Sequence, residues 1–101
     1  MSDTVHTQLC AAVLRLAAPA QILRSQDRPW ASVTFSGARH WITLQVPADR
    51  AAALEAALPE AEFSLPGQLV ADLAISATRD LGQDAQIDIE ALTVIYADMG
   101  A

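Results

Sequence analysis

Alternation of apolar and polar side chains on both sides of Gly37 is the feature that most limits what this chain can fold into. Ala31, Val33 and Phe35 share one parity and Ser32, Thr34 and Ser36 the other, and beyond Gly37-Ala38 the residues Ile42, Leu44 and Val46 alternate with Trp41, Thr43 and Gln45. Successive strand side chains point to opposite faces, so such a stretch is extended, with one face buried and the other wet. A two-residue turn at Gly37-Ala38 pairs Phe35 with His40, Val33 with Ile42 and Ala31 with Leu44, which gathers the apolar residues on one face. A three-residue turn does not. Glycine at the first turn position also suits a type II′ turn, which needs positive φ there.

The flanking segments predict helices and further strands. Val5, Leu9, Ala12, Val13 and Leu16 lie on one face of a helix, with Ser2 or Asp3 as its cap. Pro19 ends it near Ala18, because proline has no N–H and biases the preceding residue away from helical geometry. Gln21 to Arg24 reads as a short strand and Ser25 to Arg28 as a polar turn. Pro47 and Asp49 open a second helix that reaches about Leu58, with Ala51, Leu54 and Leu58 inward and Pro59 as its stop. A short extended run at Glu62 to Leu65 and a Pro66-Gly67 turn lead into an alternating strand over 68–78. A loop from Arg79 to Ala85 follows, then a last strand that becomes apolar from Ala91 to Ala97 and is expected to be covered on both faces.

These elements predict an α+β fold: an antiparallel sheet of four to six strands backed by two helices, in the order αβββαβββ, as one domain over 1–101. The order repeats, and Ala31, Val33 and Phe35 match the spacing of Ala71, Leu73 and Ile75, which suggests an internal pseudo-repeat. Alanine supplies 21 of the hydrophobic residues, leaving 32 larger apolar side chains, an ordinary supply for one core and too many for a disordered chain.

Charge and hydropathy exclude several function classes. The net charge is −6, which disfavours general binding to nucleic acid. The halves differ: residues 1–50 carry five arginines against three aspartates, and residues 51–101 carry Arg79 against nine acids. Such asymmetry is able to pair the two halves within the fold or to steer the acidic half of one molecule toward the basic half of another, although a solvated acidic surface is the plainer account. The longest apolar stretch, Leu9 to Ala20, contains Arg15 and Pro19 and falls short of the roughly 20 residues of a membrane span. Leu16-Ala17-Ala18-Pro19-Ala20 imitates a signal-peptide cleavage site, but the stretch before the apolar run holds Asp3 and His6 with no Lys or Arg, and Arg15 interrupts the run itself. The single Cys10 also fits a reducing compartment, so a cytoplasmic protein is expected.

Few residues carry candidate chemistry. His6 and Cys10, at i and i+4, form a possible imidazole–thiolate pair, set against the commoner reading of a lone cysteine as a small packed side chain. His40 is the better candidate, a general base if Asp49 or Asp72 approaches it, weighed against an edge-of-core histidine bonded to a backbone carbonyl. Two histidines 34 positions apart and one cysteine give no zinc spacing, and Asp80, Asp84, Asp88 and Glu90 lack the calcium-loop pattern. No metal or cofactor is expected. Trp30 and Trp41 fall on the polar face with Thr34 and Thr43, a patch calling for a cover from this chain or another, or for a ligand.

The sequence therefore predicts a non-catalytic interaction module that pairs with itself, as a homodimer, or with another protein, using the face of Trp30, Trp41, Thr34 and Thr43 or an exposed edge strand, with the acidic second half available to a partner. No nucleic acid or membrane is expected as a partner. The alternative is a small-molecule binding protein or minor enzyme with a His40-centred pocket. An accessory subunit of a larger enzyme or phage component fits the same features.

Overall fold

A computed structural model describes residues 4–95. The fold is α+β: two helices lie on one face of a four-stranded antiparallel sheet, with strand order β1-β2-β4-β3. The elements are α1 (Val5–Ala17), β1 (Gln21–Ala31), β2 (Ser36–Pro47), α2 (Ala51–Ala57), β3 (Gln68–Asp80) and β4 (Asp84–Ile95), with short 3₁₀ turns on either side of α2.

Thr4 caps α1, its Oγ1 accepting from the Thr7 backbone N–H at 3.1 Å, whereas Ser2 and Asp3 lie outside the described residues. The buried stripe is Leu9, Ala12, Val13 and Ala17, and Leu16 is 39% exposed. The helix thus seats its i, i+4 ridge of 9, 13 and 17 on the sheet, which leaves Leu16 at the rim. In α2, Leu54 is buried and the following Leu58 enters the same core.

The first hairpin turns where the sequence did not suggest. Ser32 to Phe35 form the turn: the Ser32 backbone N–H donates to the Phe35 carbonyl at 2.7 Å, and Ser32 Oγ accepts from the Phe35 N–H at 3.1 Å. Trp30 then pairs with Gly37, Asp27 with His40 and Ser25 with Ile42. Gly37 serves strand approach rather than a turn, because a Cβ there would sit 1.8 Å from the Thr93 carbonyl oxygen. The polar run Ser25 to Arg28 is consequently strand, and its charges and Pro29 suit the sheet edge that β1 occupies.

The second hairpin turns at 81–83, where Gly82 adopts φ +90° and donates its N–H to Asp80 Oδ1 at 2.8 Å. Two irregularities in β3, at Val70/Asp72 and Ile75/Ala77, interrupt the alternation expected there. They turn Leu73 and Ile75 toward the helices and leave Leu69, paired with Val94, on the other face and 54% exposed. The expected short strand at Glu62 to Leu65 reduces to a single bridge between Leu65 and Gln68. Of the apolar end of the last strand, Ala91 and Thr93 are buried, Leu92 and Val94 are half-buried on the helix-free face, and Tyr96 and Ala97 lie outside the described residues.

Two αββ units make up the order. In the second, helix, first strand and second strand begin 46, 47 and 48 residues after their counterparts. The units meet along the β2–β4 ladder, where Ile42 pairs with Ile89, 47 positions later. This pair marks a pseudo-twofold axis through the core. An offset of 47 matches His40 to Ile87 and Val46 to Thr93, all four buried, so one end of the core is polar where its counterpart is apolar.

Candidate functional site

The polar end of the core is a chain of side chains that four elements bring together. Helix α1 contributes His6 and Cys10, β1 contributes Ser25 and Asp27, β2 contributes His40 and β4 contributes Thr93. His6 Nε2 lies 3.1 Å from Ser25 Oγ and 3.7 Å from Cys10 Sγ. His6 Nδ1 lies 2.9 Å from His40 Nδ1, and His40 Nε2 lies 2.9 Å from Thr93 Oγ1. The imidazole planes are within 2° and their centroids 5.2 Å apart. Since the bonded nitrogens are closer than the centroids by about two ring radii, the rings lie edge to edge in one plane rather than face to face.

The proton positions follow from the far end of the chain. Thr93 has one hydroxyl proton and donates it to the Ala38 carbonyl at 3.4 Å, so its oxygen accepts from His40 Nε2–H. Burial lowers the His40 pKa to about 4; the neighbouring His6 adds to the effect, and Asp27, opposite on β1, works against it. Neutral His40 with its proton on Nε2 has a lone pair on Nδ1, which accepts His6 Nδ1–H. In the neutral form of His6, Nε2 is then the unprotonated nitrogen and faces the Ser25 hydroxyl. In that form every bond in the series runs in one direction, from the Ser25 hydroxyl to the Ala38 carbonyl.

These positions revise several sequence expectations. His40 does not sit beside Phe35, and its acidic neighbour is Asp27 rather than Asp49 or Asp72. Burial pushes the Cys10 thiol up, with the Ser25 hydrogen bond opposing and Asp27 adding to it, which disfavours the thiolate and agrees with the commoner reading of Cys10 as a small packed side chain. His40 is 0% exposed, and a hollow of about 300 Å³ lies instead on the helix-free face, among Arg24, Gln26, Trp41, Thr43, Ser76 and Asp88. Sequence reasoning missed Ser25 and Asp27, assigned to a turn, and Thr93, absorbed into an apolar run. Thr93 shares the parity of buried Ile87, Ile89 and Ala91, a signal that could have found it. Among the described residues, no three of His, Cys, Asp and Glu are placed to hold a metal ion.

The helix-free face of the sheet carries Trp30, Trp41 and Thr43 together, while Thr34 lies in the exposed turn. Trp41 Nε1–H donates to Glu90 Oε1 at 2.9 Å, Thr43 Oγ1–H to Asp88 Oδ1 at 2.8 Å, and a Gln45 Nε2–H to Asp84 Oδ2 at 3.1 Å. By register, β1 and β2 present Arg24, Arg28 and Arg39 to this face, and β3 and β4 present Asp72, Asp84, Asp88 and Glu90, with Arg79 at one end. The surface is therefore basic on one side of the central ladder and acidic on the other. Among the described residues no helix is long and apolar enough to cross a membrane. No family model matches the chain, and no curated protein or solved structure matches it.

Proposed function

We propose that this protein acts by self-association, with the helix-free faces of two copies packed on each other. The observation that carries the reading is the division of that face into a basic and an acidic half. A twofold axis parallel to the strands lays β1 over β3 of the second copy and β2 over its β4. Rows of paired residues then meet: Trp30 and Gly37 share a row with Val94 and Leu69, and Arg28 and Arg39 share one with Leu92 and Asp72. Trp30 consequently covers Leu69 of the second copy, and Arg28 faces its Asp72. Sheets that pack aligned keep strand directions within about 30°, close enough to preserve these meetings.

The size of the face supports the same reading. Strands of 11 to 13 residues, at about 3.3 Å per residue and about 4.8 Å apart, give a four-stranded face of roughly 700–800 Å². A standard interface takes about 800 Å² from each partner. Sedimentation equilibrium tests the proposal: the protein is expected to form a concentration-dependent dimer, and Leu69→Arg, at an exposed position, to lower association at least tenfold without changing its circular dichroism. A strict monomer, or a Leu69→Arg variant that associates as well as the parent, would exclude this interface.

A further inference from the structure

The His6–His40 chain lies on the helix-covered side of the sheet, and the self-association reading does not use it. The fold does not require it either, since the counterpart positions of His40 and Thr93 hold Ile87 and Val46, which pack as ordinary core. A buried polar group left without partners costs about 1–3 kcal/mol, so an apolar pair is the simpler solution for stability alone. What the chain adds is a direction, and it ends at a hydroxyl on the surface. Ser25 is exposed, its oxygen 3.1 Å from His6 Nε2, and His6 is oriented through its other nitrogen by buried His40. A nucleophile within hydrogen-bond reach of a base, itself oriented by a third group, is the arrangement of an activated serine.

We propose that Ser25 is a nucleophile toward small carboxylic esters, with His6 as its general base and His40 and Thr93 as positioning residues. Ser25 Oγ adds to the ester carbonyl carbon while its proton passes to His6 Nε2. The ester C–O bond then breaks, and the departing alkoxide takes that proton to leave as the alcohol. Water, deprotonated by His6, attacks the acyl-serine, releases the carboxylic acid and restores the serine hydroxyl. His40 Nδ1 holds the His6 Nδ1–H throughout, which keeps the imidazole in the tautomer that accepts from Ser25. Among the described residues β1 is an edge strand, and alternate backbone N–H groups on its outer side have no strand partner there, so one at or next to Ser25 would serve the developing oxyanion.

An alkyl fluorophosphonate reports the first half of this chemistry: serine oxygen bonds to phosphorus, fluoride leaves, and His6 takes the proton. The intact protein is expected to be labelled at Ser25, located by peptide mass, and to hydrolyse p-nitrophenyl acetate. Ser25→Ala abolishes both, and His6→Gln lowers both by about 100-fold, the low end of a general-base contribution. His40→Asn, which still offers an acceptor to His6 Nδ1–H, retains more of the rate than His40→Leu, and that difference separates positioning from packing. Labelling no faster than in the urea-unfolded protein, labelling at another residue, or equal rates for the parent and Ser25→Ala would overturn the assignment.

Discussion

His40 shows how one residue sets the pH response of the fold. Its folded pKa, lowered to about 4 from 6.5 by burial first and by His6 second, means that the unfolded chain binds the proton more readily. Stability from this group is therefore fully present above pH 6.5 and is lost as pH falls from 6.5 toward 4, by on the order of 2–3 kcal/mol. Protonation at Nδ1 would also set two N–H donors against each other across the 2.9 Å contact with His6. Urea unfolding at pH 7 and pH 4.5 is expected to show a loss in the parent that His40→Leu reduces by most of that amount; an equal loss in both would place the sensitivity elsewhere. The sequence marked His40 as the residue to watch, but not its partners. His6 stands 34 positions away and Thr93 a further 53 beyond His40, and only the folding of α1 across β2 and the β2–β4 ladder joins them.

At the scale of elements, the helices were legible because their stops are chemical: Pro19 closes α1, and Leu54 and Leu58 sit at helical spacing. The first turn was not, because Gly37 lies between two alternating runs and resembles a turn glycine. Its task is to let β2 approach β4, and Ser32 makes the turn instead with its own hydroxyl. The faces survived this displacement. Expected pairing of Phe35 with His40 became pairing of Trp30 with Gly37, a change of eight in the register sum, and an even change leaves each side chain on its original face. Trp30 and Trp41 therefore share a face as read, although Val33 and Phe35 left the core for the turn. In β3 the alternation misled because two irregularities reverse parity, which no composition signal announces. Gly37→Ala tests the close approach: a Cβ 1.8 Å from a backbone oxygen forces β2 and β4 apart, and a loss of about 3 kcal/mol is expected in chemical denaturation. A change below about 0.5 kcal/mol would mean that the strands do not meet so closely.

For the whole molecule, the charge asymmetry between the two halves of the chain becomes a spatial one because the αββ units lie side by side. The basic unit supplies β1 and β2, with Arg24, Arg28 and Arg39 on the face the helices leave bare, and the acidic unit supplies β3 and β4, with Asp72, Asp84, Asp88 and Glu90 on the same face. A twofold along the strands matches each half to its opposite. Arg28 on β1 and Asp72 on β3 belong to the two outer strands, three strand spacings or about 14 Å apart, beyond the reach of a direct ion pair within one molecule. Exchanging them therefore reads contact between copies alone. The most direct measurement is the dimer dissociation constant of the parent, Arg28→Asp, Asp72→Arg and the double exchange at low salt. Each single change should weaken association about tenfold, since the contact occurs twice and becomes a repulsion, and the double exchange should restore it to near the parent value. Losses that simply add in the double exchange would contradict the twofold pairing of these faces.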